Sequence, residues 1–234
     1  FSQLGPNLMK ILLTLLLFLV SEQAFSDNFF IPKNNEIIFD IVRKNNVIGT
    51  HSIIFNKKEI NTLNVKINVD IKVKIGFLTI YKYKHDNNEV WINNELFSIS
   101  TESINNKNKR YFVEGKQNDN KFEFIGVDGK KNWERNVIPI SYWNKNITKR
   151  NIFLDTQKGI MRELKVRSLN NDKIKFGEKT IEAKCYELTV ITSHKTDQKP
   201  FPTIYVWYTE QGELMKIKFD SPEDNSIIDY IRIK

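Results

Sequence analysis

Residues 65–75, VKINVDIKVKI, put Val65, Ile67, Val69, Ile71, Val73 and Ile75 at every second position, with Lys66, Asn68, Asp70, Lys72 and Lys74 between them. Successive side chains of an extended chain point to opposite faces, so this period of two predicts a half-buried β-strand; a helix would scatter the apolar stripe around its circumference. Weaker versions recur at 36–44, 47–55, 77–85, 89–93, 95–104, 109–116 and 121–126. The series resumes at 159–169, 179–192, 203–209, 213–219 and 226–234. The connections are mostly too short for parallel crossovers, which need about a dozen residues. So many strands cannot lie flat, because twist accumulates from strand to strand. The expected fold is all-β: an antiparallel meander of about a dozen strands curled into a barrel-like, open-barrel or sandwich domain, with one irregular crossover.

Turn chemistry supports that reading. Glycine is scarce, with 9 in the chain, and asparagine pairs occur at 34/35, 45/46, 87/88, 93/94, 105/106 and 170/171. Asparagine enters the left-handed region more readily than other non-glycine residues, so each pair is expected to mark a turn. Gly76 interrupts the longest alternating run as either a hairpin or a bulge that bends one long strand, and the short "KIGF" around it favours the bulge.

The first residues read differently. "MKILLTLLLFLVSEQAFS", residues 9–26, has a basic start, an apolar run over 11–20 and small residues at Ala24 and Ser26. This is the layout of a secretory signal peptide, and the run is short of the roughly 20 residues a membrane span needs. The expectation is translation upstream of the true start over 1–8, a signal peptide over 9–26 cleaved before Asp27, and a single all-β domain over 27–234. No transmembrane segment is expected after cleavage, and the protein is expected in the periplasm. Cys185 is the only cysteine, which excludes an internal disulfide, and its strand setting reads as a small buried hydrophobe.

The formal net charge is +8, yet of the 36 basic residues only seven are arginine. Readers of phosphate and base edges lean on the planar fork of arginine, so lysine excess argues against a nucleic-acid partner and leaves a solvated face or attraction to anionic envelope surfaces. No phosphate-binding loop, dinucleotide fingerprint, zinc-binding His-Glu-x-x-His or nucleophile elbow is present, and His51, His85 and His194 each stand alone in sequence. No catalytic residue, cofactor or metal site is therefore expected.

The segment 139–159, PISYWNKNITKRNIFLDTQKG, departs from the alternation. Long irregular connections in compact domains often form covers or binding loops. Ser141, Tyr142, Trp143 and Asn144 are expected to close one end of the curled sheet, with Trp143 as either a mobile lid or a core plug. Asp155 is expected to fix the chain's return through a turn. The strand aromatics Tyr81, Tyr83, Trp91 and Tyr208, with Glu89, complete the set of candidate ligand-binding residues.

"VIGTHSIIF", "GFLTIYKYKHDNNEVW", "SYWN", "FLDTQKG" and "VWYTEQGELMKIKF", in that order, resemble the exported bacterial family known as domain of unknown function 6134. The stretch Tyr81–Trp91 is also similar, more faintly, to domain of unknown function 3108. The resemblance implies a secreted, strand-rich protein and carries no assigned catalytic residue. Three functions stay open: a carrier for a hydrophobic small molecule or lipid, an envelope interaction protein with a basic face, and a hydrolase with an unrecognised acid or histidine site.

Overall fold

The computed structural model describes residues 29–59, 61–105 and 109–234; the expected signal peptide lies outside the described residues. Fourteen strands form one antiparallel sheet. Its first half runs β1 (Glu36–Arg43), β2 (Asn46–Glu59), β3 (Thr62–Ile75), β4 (Leu78–Ile92), β5 (Glu95–Ile104), β6 (Arg110–Asn118), β7 (Lys121–Gly126) and β8 (Gly129–Glu134). The second half runs β9 (Ile152–Asp155), β10 (Ile160–Phe176), β11 (Lys179–Val190), β12 (Ile204–Tyr208), β13 (Leu214–Asp220) and β14 (Ile227–Arg232). Every neighbour is a sequence neighbour except at one seam, where β1 pairs with β14 and Phe39 lies opposite Arg232.

The edges of the sheet are β8 and β9, and the irregular segment runs from one to the other. They do not join in a ladder. The Val127 N–H donates to the Lys158 carbonyl at 2.8 Å, and Gly126 sits so close to Gly159 that a Cβ on either would strike the other's backbone. Pro139 bridges Leu154 in parallel, and the Ile140 N–H donates to the Leu154 carbonyl at 3.0 Å. The curled sheet is thus barrel-like but not closed by its ladders, and the gap between its edges is spanned by a strap that carries one 3-10 turn at Lys145–Lys149.

Alternation sends Phe39, Ile53, Val65, Ile67, Trp91, Ile99, Val206, Ile217 and their neighbours into one large core inside the curl. A second, smaller core of Ala183, Cys185, Trp207 and Met215 forms on the opposite face of β11–β13. Cys185 is buried there, and its thiol is pushed up to about 11, first by burial and then by nearby Asp172.

Several expected turns fall elsewhere. Asn93 and Asn94, with φ of 50° and 64°, form a two-residue turn whose twist suits a hairpin. Asn87 and Asn88 instead lie inside β4, so 77–85 and 89–93 belong to one strand, and Asn170 and Asn171 lie within β10 at a bulge. Gly76 is not a bulge. With φ of 56° it opens the two-residue turn between paired Ile75 and Leu78. β8 and β9 were not legible as strands: β8, GKKNWE, lacks alternation, and β9 spans only four residues.

Candidate ligand-binding cavity

One face of β4 carries Tyr81, Tyr83, His85, Asn87, Glu89 and Trp91 in succession, grading from exposed to buried. Beside them on the same wall are His51 of β2 and Val69 and Ile71 of β3, with Val69 paired to His85 and Ile71 to Tyr83, and the lining is continued by Ile217 and Phe219 of β13 and Tyr230 of β14. The strap contributes Ile140, Ser141 and Tyr142, the β9–β10 turn contributes Asp155, Thr156 and Gln157, and Phe201 and Pro202 stand at the margin. Together they enclose a half-open cavity of about 320 Å³, a volume at the small end of the range for small-molecule sites. Its walls are aliphatic and aromatic, and its polar groups converge from β2, β4 and the strap.

Those polar groups differ in how well they are satisfied. His85 Nδ1 lies 2.7 Å from Ser103 Oγ and its Nε2 lies 3.3 Å from Thr156 Oγ1. The nitrogen Nδ1 of His51 and the oxygen Oδ1 of Asn87 are buried with no partner. Unpaired polar atoms in an interior are costly and uncommon. Burial, followed by the nearby His85, lowers the His51 pKa to about 3. Burial likewise lowers His85 to about 4, against a smaller upward pull from Asp86. Both rings are therefore neutral at pH 7, and burial raises the Tyr83 and Tyr230 phenols so that they stay protonated.

Behind the cavity, Glu89 anchors a buried knot. Its Oε1 accepts from Asn87 Nδ2 at 2.9 Å, and its Oε2 accepts from the indole N–H groups of Trp91 and Trp143, both at 2.9 Å. Burial raises the carboxyl pKa and these donors oppose it. Ser141 Oγ is near enough to lower it slightly, but makes no hydrogen bond of good geometry. Trp143 is 2 % exposed and meets Phe29, Phe55 and Trp91 edge-to-face at 5.0–5.5 Å. It is a core plug, not a lid. The Trp143 N–H donates to the Ser141 carbonyl at 2.9 Å around Tyr142, whose φ is 63°. This is the rare, strained form of γ-turn. It sends Trp143 into the core while Tyr142 faces the cavity, and the Tyr208 hydroxyl holds it by donating to the Tyr142 carbonyl at 2.5 Å.

Asp155 does fix the return of the chain. Its Oδ1 accepts from the Gln157 and Lys158 N–H groups at 2.9 and 3.2 Å, and its Oδ2 accepts from Arg162 Nε at 2.9 Å. Arg162, fully buried, also grips Asp197 with two parallel bonds of 2.7 and 2.8 Å, and Lys158 Nζ adds a third at 2.6 Å. Burial pulls the Asp197 carboxyl up, but these cations hold it well below the usual carboxylate range. The Arg162 guanidinium lies 4.7 Å from the ring centroid of Phe201, so the cluster positions the loop that carries Phe201 and Pro202 to the cavity margin.

Of the residues expected to bind a ligand, the cavity brings together Tyr81, Tyr83, Ser141, Tyr142 and Asp155. Glu89, Trp91, Trp143 and Tyr208 lie behind it in the core, and Asn144 caps the 3-10 turn, its side chain accepting from the Asn146 N–H at 3.0 Å. His51, His85 and Asn87 were missed. Their signal was available: they share the inward face of β2 and β4 with the apolar residues, but reading Asn87–Asn88 as a turn broke the run that would have shown it.

A crystal structure from Brucella abortus, described as a β-barrel-like protein of domain of unknown function DUF1849, is similar with a TM-score of 0.60. The match covers 85 % of this chain and 95 % of that one at 9 % identity, a level that shows the fold alone. No curated protein matches the chain. The family model described as domain of unknown function DUF6134 matches residues 39–233, from β1 through β14, and the chain belongs to that family.

Proposed function

We propose that this protein is an exported binding or carrier module whose interior cavity holds an uncharged amphiphile, a small lipid-like molecule with a hydroxyl or amide head. The observation that carries this is one half-open, largely apolar cavity whose lining includes His51 and Asn87, two residues that each keep a buried polar atom, Nδ1 and Oδ1, without a partner. A ligand that offers a donor to Asn87 and a complementary group to His51 relieves both deficits. Its apolar body would lie along Val69, Ile71, Ile217 and Phe219. A formal charge is disfavoured, because the histidines stay neutral and the carboxylate in the lining, Asp155, is already paired with Arg162.

The test is fluorescence titration with N-phenyl-1-naphthylamine, an uncharged apolar probe, followed by displacement with a medium-chain monoacylglycerol and with the matching fatty acid. Saturable binding is expected, with the monoacylglycerol displacing the probe at concentrations about tenfold below the fatty acid. Ile71→Trp, at a half-buried position of the cavity wall, should abolish it while the circular dichroism spectrum is retained. Failure to saturate, or equal binding by a folded Ile71→Trp variant, would remove the proposal.

A further inference from the structure

The hairpin of β3 and β4 outgrows its neighbours. β2 last pairs with β3 at Gly49–Ile71, and β5 last pairs with β4 at Ile104–Lys84. Residues 72–83 therefore stand beyond both flanking strands as a two-stranded ribbon, about 15 Å long at the usual rise per residue. Such a ribbon has little stability of its own and normally carries polar side chains. Here the turn presents Phe77, fully exposed, and Leu78, 70 % exposed.

The charges behind the tip are all of one sign. Between Asp70 and Asp86 the chain holds Lys72, Lys74, Lys82 and Lys84 and no acid. Lys84 is compensated at the ribbon's base by Asp70, at 3.5 Å. Lys72 and Lys74 make no ion pair among the described residues. The acid that acts on Tyr81 at the ribbon's base, Glu223, is held by Lys199 at 2.6 Å. An apolar point with a cationic collar roughly 10 Å behind it matches the depth profile of an anionic bilayer, with acyl chains at the centre and phosphates at the rim. The point is too narrow for a stable protein partner, which covers about 800 Å² on each side.

We propose that this ribbon docks the protein on an anionic lipid surface, with Phe77 and Leu78 entering the acyl region and Lys72 and Lys74 meeting lipid phosphates. Tyr81 and Tyr83 follow on the same strand and line the cavity, so docking brings the cavity margin toward the membrane. The proposal stands on the ribbon alone and holds whether or not the cavity carries a lipid.

Co-sedimentation with vesicles containing phosphatidylglycerol, against pure phosphatidylcholine, tests it. Binding to the anionic vesicles is expected to be at least tenfold tighter and to weaken with salt. The exposed pairs Phe77→Ser with Leu78→Ser, and Lys72→Gln with Lys74→Gln, should each lower it about tenfold without changing the circular dichroism spectrum. Phe77→Trp should show blue-shifted emission on the anionic vesicles only. Absence of vesicle binding overturns the proposal. So does binding that survives the Phe77 and Leu78 changes with no blue shift, since this would mean a purely electrostatic contact. Concentration-dependent self-association abolished by those changes, without vesicle binding, would assign the ribbon to a protein partner instead.

Discussion

Two hairpins in this sheet extend past their neighbours, and they use their apolar residues in opposite ways. In the C-terminal one, the ladder of β11 with β12 ends at Lys184, and the bulge between Ser168 and Asn171 lets the remaining arm lean over the outer face. Its Leu169, Ile174, Phe176 and Ile181 pack on Trp207, Cys185 and Met215, while the Trp207 indole donates to Asp172 at 2.7 Å and Arg232 lies 4.9 Å from the Phe176 ring centroid. In the N-terminal ribbon of β3 and β4, Phe77 and Leu78 have no such floor. A protruding hairpin is thus structural when it folds back on its own sheet and available for partners when it does not. What separates them is a bulge and an apolar outer face, not the composition of the tips alone.

The largest effect is expected on the folded-back arm. Trp207→Ala should cost about 3 kcal/mol or more in urea unfolding, because it removes a buried indole and the floor of the second core. A loss below 1 kcal/mol would show that the arm does not depend on that packing.

Acid should separate the two halves of the sheet. His51 and His85, on β2 and β4, titrate near 3 and 4 in place of their ordinary 6.5, so the unfolded chain takes up protons before the native one does. Their contribution is complete above pH 6.5 and is lost as the pH falls toward those values. Asp197, depressed from 3.8, contributes above that pH and loses its effect only on further acidification. Between pH 7 and pH 5 the two histidines should therefore lower the stability by about 4 kcal/mol, offset in part by Glu89, whose raised carboxyl lets the native state take up that proton first. Amide exchange should accelerate in β2–β4 before β10. Stability that holds constant across that interval, or exchange that rises first in β10, would contradict this order.

Asp172→Ala leaves the Trp207 N–H without its acceptor and should cost about 1–2 kcal/mol, measured by the same unfolding curves. Replacing Phe77 and Leu78 with serine should change stability by less than about 0.5 kcal/mol. A large loss from that last change would mean that the ribbon tip packs on the protein, and the contrast between the two hairpins would disappear.

Much of the strand pattern could be read from the sequence because alternation is a local property. Val65 through Val73 announces β3 without any knowledge of its partners. The turns were less legible, since an asparagine pair tolerates a positive φ but does not require one: Asn93–Asn94 takes it, whereas Asn87–Asn88 stays extended in a central strand. That ambiguity hid the cavity. His51 and His85 stand 34 positions apart, and only the pairing of β2, β3 and β4 places them on one wall. Asp155 could be anticipated as a turn residue from its local setting, but its partner Asp197 across Arg162 could not, because that contact depends on a loop from the far side of β11.

The seam between β1 and β14 has a kinetic consequence. All other ladders join strands adjacent in sequence, so each half can zip up through short loop closures, whereas the seam must bring Phe39 to Arg232 across almost the entire polypeptide. Low contact order on either side and one very high-order junction make docking of two preformed meanders the slow step. Until that junction closes, β1 and β14 are both open sheet edges. A nascent chain that stalls there would exchange halves with its neighbour, making domain-swapped dimers rather than unfolded aggregates.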